Sequence, residues 1–334
     1  MAHRSSCWSS PAPLHLDDEC DVYAPPPSSR PAARIHQERS VRFFTSGLVV
    51  IGVTISAGCA DHSVSVPEPD SRIIAFSSDS GVSRGLSIYL MHADGTQKVR
   101  LTGDGAFDQF PTWSPDGRSI VFDSDRPGGS TIWAIDADGS NARGLANGYG
   151  GRWSPDGTRL IYTGKTASGV YVVYIANADG SSPVRLTTNP AGEVRPAWSP
   201  DGKKIVFSAY PEADINLYVI NADGTGQTQL TRTTGFSEAA VWSPDGTRIA
   251  FEHGEPNQLA AVHVMNADGT NERTLTPLGC GVPSWSPDSR QIAYQCAGDN
   301  SLPRIYRMNA DGSQKRALTS KEFFNVGPSW KPVP

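Results

Sequence analysis

Beyond residue 60 the sequence has no long stretch with the 3.6-residue apolar spacing of an amphipathic helix. That excludes helical bundles and helix-layered sheets and leaves an all-β domain. It has no basic excess either. Lys and Arg number 29 against 34 Asp and Glu, a net charge of −5, which excludes nucleic acid as a partner. Metal signatures are missing: the seven His residues (3, 15, 36, 62, 92, 253, 263) show no His-Glu-x-x-His spacing, and His92 and His263 fall in β-rich runs where they read as structural. A nucleophile is missing too. Gly81-Val82-Ser83-Arg84-Gly85 matches Gly-x-Ser-x-Gly in letters, but it lies between two β runs with no helix after it. Asp136-Ala137-Asp138-Gly139 lacks the further ligands and distal Glu of a calcium loop. No catalytic residue, resident metal or cofactor is expected.

What is abundant is turn chemistry. Trp-Ser-Pro-Asp-Gly stands intact at Trp113–Gly117, Trp153–Gly157, Trp198–Gly202 and Trp242–Gly246; Trp285–Ser289 ends in Ser, and Trp330-Lys331-Pro332 is a degenerate sixth copy. The Trp-to-Trp steps are 40, 45, 44, 43 and 45 residues, the period of a blade-by-blade repeat. Pro presets φ for a type I turn, and Gly accepts a left-handed backbone that closes a hairpin. Alternating β-rich runs follow each turn, as in Ser119–Phe122, Arg159–Tyr162 and Arg248–Phe251. A second marker, Ala-Asp-Gly, recurs at 93–95, 137–139, 178–180, 222–224, 267–269 and 310–312, each between a β run and a Leu-Thr-type segment. The unit is four strands, repeated six times.

The first repeat, from Ile73, has no Trp strand before it, and the last Trp strand, Asn325–Trp330, has no partner after it. The spacing predicts that Asn325–Trp330 pairs with Ile73–Ser77 and closes the ring, which removes exposed strand edges. The fold expected is a six-bladed β-propeller of four antiparallel strands per blade over residues 71–334.

Six copies of the Trp motif together with Ala-Asp-Gly resemble the TolB-type, WD40-like β-propellers. The resemblance implies an envelope protein that binds other envelope proteins or peptides. TolB-type proteins carry an α/β domain before the blades, and the 11 residues between Cys59 and Ser71 have no room for one. Related propellers that act on carbohydrates as lyases supply the alternative, an enzyme with its site at the channel mouth.

The remaining segments read as an exported chain. Residues 1–33 are rich in Pro, Ser and charge and read as disordered. Residues 34–59 place Arg34, Arg39 and Arg42 before an apolar run of 16 residues, Phe43–Gly58, and end in small residues before Cys59. That layout resembles a lipoprotein signal with Cys59 as the lipidated residue, although Ser56 stands where such signals carry Leu. The functional start is expected later than Met1. Sixteen residues are few for a membrane span, so an uncleaved anchor is the lesser alternative. Residues 60–70 form a tether. The expected product is monomeric, periplasmic or on the outer surface, and membrane-tethered.

Candidate binding residues lie on the variable loops. Five residues before each Trp stand Asp108, Gly148, Glu193, Ser237, Cys280 and Asn325, expected to ring the channel mouth. Of these, Asp108, Glu193 and Asn325, with Glu238, offer oxygen ligands for a hard cation, against which stands a simply hydrated ring. Aromatics Phe107, Tyr149, Tyr210, Phe236, Phe323 and Phe324, with Arg195, are candidate anchors for an envelope protein, a peptide or a glycan, or else packing between blades. Cys280 and Cys296 fall in one blade. With Trp285 opposite Arg290, Cys280 faces residue 295, one place from a disulfide with Cys296.

Overall fold

The structure, a computed structural model, describes residues 72–333 apart from 82–83, 104, 127–130, 189–191, 211–213 and 298–300. The expectations for the leader, for Cys59 and for the tether lie outside the described residues. Six sheets of four antiparallel strands make six blades, with no helix among the described residues. The innermost strands of blades I to VI are Asn325–Trp330, Gln109–Trp113, Tyr149–Trp153, Glu193–Trp198, Phe236–Trp242 and Cys280–Trp285. Blade I takes its innermost strand from the far end of the chain. Asn325–Trp330 lies antiparallel to Ile73–Ser78, with Ile74 opposite Trp330 and Ser78 opposite Asn325. The ring is therefore closed by main-chain pairing, and no blade edge faces a gap.

The core lies between blades, because both faces of each sheet are covered. Ile161 and Val173 of blade III pack with Trp198, Ile205 and Phe207 of blade IV. Phe207 and Phe251 are wholly buried, and each such side chain contributes roughly 2–3 kcal/mol.

The two recurrent turns are built as read. In the Trp motif, Ser114 Oγ donates to Asp116 Oδ1 (2.6 Å) and accepts the amide of Ser119 (2.9 Å), so the side chains replace main-chain partners at the turn. The same pattern holds at Ser154, Ser199 and Ser286. In the degenerate copy Ser289 adopts the left-handed φ of 58° that Gly takes elsewhere, and its Oγ accepts the amide of Asp245 (3.0 Å). The Leu-Thr segments lie just past the outermost strands, which are short. The Thr hydroxyls accept a buried amide from the third strand, as Thr102 does from Ile88 (2.9 Å) and Thr276 from Val262 (2.8 Å).

Every innermost strand carries a β-bulge, and the residue three before the Trp has positive φ. These are Phe110, Gly150, Arg195, Ala239, Val282 and Gly327, at 49–67°. A bulge leaves an amide unpaired. The preceding blade supplies the acceptor from the residue after the aromatic of its second strand. Ser77 Oγ accepts from Phe110 N (3.1 Å), Thr163 Oγ1 from Arg195 N (3.0 Å), and Gln295 Oε1 from Gly327 N (3.1 Å). Asp123 accepts from Gly150 N (2.9 Å) and Glu252 Oε2 from Val282 N (3.1 Å). At five of the six joints a side chain on one blade thus fastens the next. At the sixth, the equivalent Ser208 Oγ is buried without a partner.

The bulge also corrects the register around the cysteines. Trp285 opposes Ile292 rather than Arg290, and the bulge takes up one residue, so Cys280 sits directly opposite Cys296. A disulfide joins them.

Candidate functional site

The bulge decides which side chains meet at the axis. A strand alternates its faces every residue, so an inserted residue reverses the alternation beyond it. Asp108, Glu193, Ser237, Cys280 and Asn325 are buried, and Ser237 and Cys280 are engaged inside their own blades, with His253 and with Cys296. Asp108 is a structural acceptor: it takes Ser124 Oγ (2.7 Å) and Arg126 Nε (3.1 Å). Glu193 is fully buried, and burial raises its carboxyl pKa. The four oxygen donors considered for a cation sit in four different blades and do not converge. Among the described residues no group of three or more His, Cys, Asp or Glu is placed to hold a metal ion.

Four of the sequence candidates do converge: Tyr149, Arg195, Tyr210 and Glu238. Arg195 Nε lies 3.5 Å from Glu238 Oε2, and Tyr210 Oη donates to Glu238 Oε1 (3.0 Å). The Arg195 guanidinium also sits 5.6 Å from the ring centre of Phe110. Phe110 belongs to blade II and Arg195 to blade IV, so this contact spans the central channel. Tyr149 from blade III packs edge-on against Tyr171, with ring centres 5.5 Å apart.

Residues that the sequence reading passed over complete the cluster. Glu252 lies directly opposite Glu238 across the strand pair of blade V. Two carboxylates so placed repel unless a cation intervenes. Arg195 is that cation. Burial disfavours its charge, but Glu238 and then Glu252 overcome that and hold its pKa above the ordinary value. Burial pushes Glu252 up, against the pull of Arg195. Asp123 is pushed up to about 7 by burial, with Gly150 N–H, Arg195 and Arg152 opposing. Arg152 is drawn down to about 10 by burial and by Arg195. Burial raises Tyr149 and Tyr210 as well, so both phenols stay protonated.

A signal for the missed acids was present. The residue after the aromatic of each second strand reads Ser77, Asp123, Thr163, Ser208, Glu252 and Gln295. Four neutral acceptors and two carboxylates in one repeat position mark the two as doing more than capping an amide.

The other candidates stay outside this cluster. Phe107 is 54% exposed, and its amide donates to Asp125 Oδ1 (2.7 Å). Phe236 packs over Gly254, where an added Cβ would meet its ring at 2.7 Å. Phe323 and Phe324 are half-buried; the Phe323 carbonyl accepts from Asn325 Nδ2 (2.6 Å), and the Phe324 amide donates to Asp79 Oδ1 (2.8 Å).

A family model described as the TolB beta propeller domain matches residues 61–151 and 146–334. The Tol-Pal system protein TolB of Anaeromyxobacter dehalogenans is 35% identical over 108 residues, which cover 31% of this chain and 25% of that protein. The chain thus spans about a quarter of the length of the curated relative it matches. The crystal structure of TolB from Acinetobacter baumannii superposes with a TM-score of 0.72 at 21% identity, over 80% of this chain and 68% of that one. An oligogalacturonate lyase from Vibrio parahaemolyticus superposes with a TM-score of 0.54 at 15% identity, over 76% of each chain. At these identities the two structures bear on the fold alone.

Proposed function

The chain belongs to the TolB beta-propeller domain family, and from that membership we propose that it is a binding protein of the bacterial cell envelope. Its partner is an envelope protein, or a peptide segment of one, taken on the variable-loop face. A glycan is the other ligand that face would suit. The chain is exported to the periplasm or outer surface, works as a monomer, and is tethered through a lipidated Cys59 or an uncleaved leader. Its domains run as a disordered extension over 1–33, a signal over 34–59, a tether over 60–70 and the propeller over 71–334.

The observation that carries this reading is the axial cluster of Tyr149, Arg195, Tyr210 and Glu238. It joins charge and aromatic surface at the centre of a rigid ring, with Phe107 exposed among the surrounding loops. Aromatic and Arg side chains held by a rigid scaffold are the usual anchors of a protein interface. The curated relative's name places that protein in the Tol-Pal system, which favours a protein over a glycan as the ligand here. The lyase alternative rests on shared architecture, and a fold does not carry its chemistry with it.

Affinity capture from an envelope extract tests the proposal. Wild type is compared with Phe107→Ala and with the pair Phe323→Ala and Phe324→Ala. Loss of one defined partner with retention of the fold supports it. Unchanged capture by both variants removes the loop face from consideration. Release of unsaturated sugars from oligogalacturonate by the wild type would replace the binding role with the enzymatic one.

A further inference from the structure

The far end of the channel, where the Trp-Ser-Pro turns converge, holds a cavity of about 240 Å³. Trp113, Trp153, Trp198, Trp242 and Trp330 contribute to its wall, and Arg152 is the one charged residue that lines it. The residue before the Trp lines this space in five blades, and four of those five are neutral: Thr112, Ala197, Val241 and Ser329. Blade III alone puts an arginine there.

Arg152 has no hydrogen-bond or ion-pair partner among the described residues. That is unusual inside a protein, since a partly desolvated cation without an acceptor costs free energy. Asp123 attracts Arg152 electrostatically without a contact ion pair, and both its oxygens share the amide of Gly150 (2.9 and 3.1 Å). Neighbouring donors are unsatisfied too. The indole N–H groups of Trp113 and Trp285 reach the carbonyls of Ser329 and Val241, but those of Trp198, Trp242 and Trp330 are buried with no acceptor. An indole N–H only donates, and a guanidinium only donates. Those indole nitrogens are sealed from the pocket, so the donor that faces it is the Arg152 guanidinium, a fork that matches a carboxylate in two parallel hydrogen bonds.

We propose that this end of the channel binds a carboxylate, held by the Arg152 guanidinium among the tryptophan rings. The site is distinct from the loop face and does not depend on the function assigned to that face. The pocket is large enough for a small organic acid or the last residue of a peptide. The shared chemistry is the carboxylate; its source is either a free acid or the C-terminus of a polypeptide.

The tryptophan wall provides the readout. Intrinsic fluorescence of the full chain is titrated at constant ionic strength with succinate, with trialanine, and with trialanine amide. A saturable change with succinate or trialanine is expected, and Arg152→Gln should weaken it at least tenfold. Arg143→Gln, at an exposed arginine on the outermost strand of blade II, should leave it unchanged. If Arg152→Gln fails to fold by circular dichroism, Arg152→Lys carries the test, with weakening of several-fold because the bidentate pair is lost. Tenfold tighter binding of trialanine than of its amide and of succinate assigns the site to a chain end. Comparable binding of succinate and trialanine assigns it to a free acid. No saturable response to either in the wild type, or equal affinity in the Arg152 variant, overturns the proposal.

Discussion

Blades II to V and blades VI and I face the same axis with different chemistry. The first wall carries Phe110, Asp123, Tyr149, Arg152, Arg195, Glu238 and Glu252; the second carries Val282, Ser284, Gln295, Gly327 and Ser77. Both walls do the same backbone work. Each has the bulge, the left-handed residue and an acceptor that fastens the neighbouring blade. A neutral Gln295 or Ser77 is enough for that task. The carboxylates on the other side therefore exceed what the fold requires, and their burial raises the pKa of Asp123 and Glu252. Charge of this kind, retained at a cost, is what supports the proposal that this wall meets a ligand. The second wall is stapled instead: Cys280–Cys296 ties the two inner strands of blade VI.

The largest effect should come from removing the cation of the charged wall. Arg195→Met leaves Glu238 and Glu252 facing each other and is expected to cost about 3–5 kcal/mol by urea denaturation. Adding Glu238→Gln should restore much of that loss. If Arg195→Met is neutral, the two walls are equivalent in energy.

Titration separates the walls next. The Asp123 pKa is about 7 in the fold, against about 3.9 in an unfolded chain. The folded state then binds the extra proton between these values. Its stabilising effect is complete below about pH 4 and is lost as the pH rises through 7. Relative to Asp123→Asn, the wild type should lose up to about 4 kcal/mol between pH 4 and pH 8. Denaturation midpoints of the two proteins across that range measure it. Gln295→Asn on the other wall should show no such divergence.

On the stapled side, Cys280→Ser with Cys296→Ser opens a 16-residue separation and should cost about 3 kcal/mol, seen as a lower urea midpoint. Smallest is Gly327→Ala. Its φ of 61° and a Cβ 3.0 Å from the Phe110 ring predict a loss of about 1–2 kcal/mol by thermal denaturation. Ala239→Gly, in the same backbone conformation, relieves strain but removes a buried methyl and should change stability by less than about 1 kcal/mol.

The architecture was legible because it is written in turns. Pro, Asp and Gly dictate local geometry that neighbours seldom override, and six copies at one period leave a single arrangement. The pairing of Asn325–Trp330 with Ile73–Ser78 followed from counting strands. The axial residues were harder to read, because counting back from Trp assumes an unbroken strand. One bulged residue at Phe110 or Arg195 shifts the register between Trp and the residues before it. Bulges leave little trace in composition when the left-handed position is held by Phe, Arg, Ala or Val. Tyr149, Arg195, Tyr210 and Glu238 were found through residue type, not through geometry. Asp123 and Glu252 were hidden inside runs that read as plain strand.

Blade I is assembled from two stretches more than 240 residues apart, Ile73–Ser78 and Asn325–Trp330. A ribosome delivers the first long before the second. Until Trp330 emerges, Ile73–Ser78 has no partner on its inner side, and neither the bulge of Gly327 nor its clasp to Gln295 exists. Loop closure over such a distance is slow, and the strand Asn325–Trp330 decides whether the toroid locks. Chains that have yet to make this strand, or have lost it, are consequently open-ended at blade I.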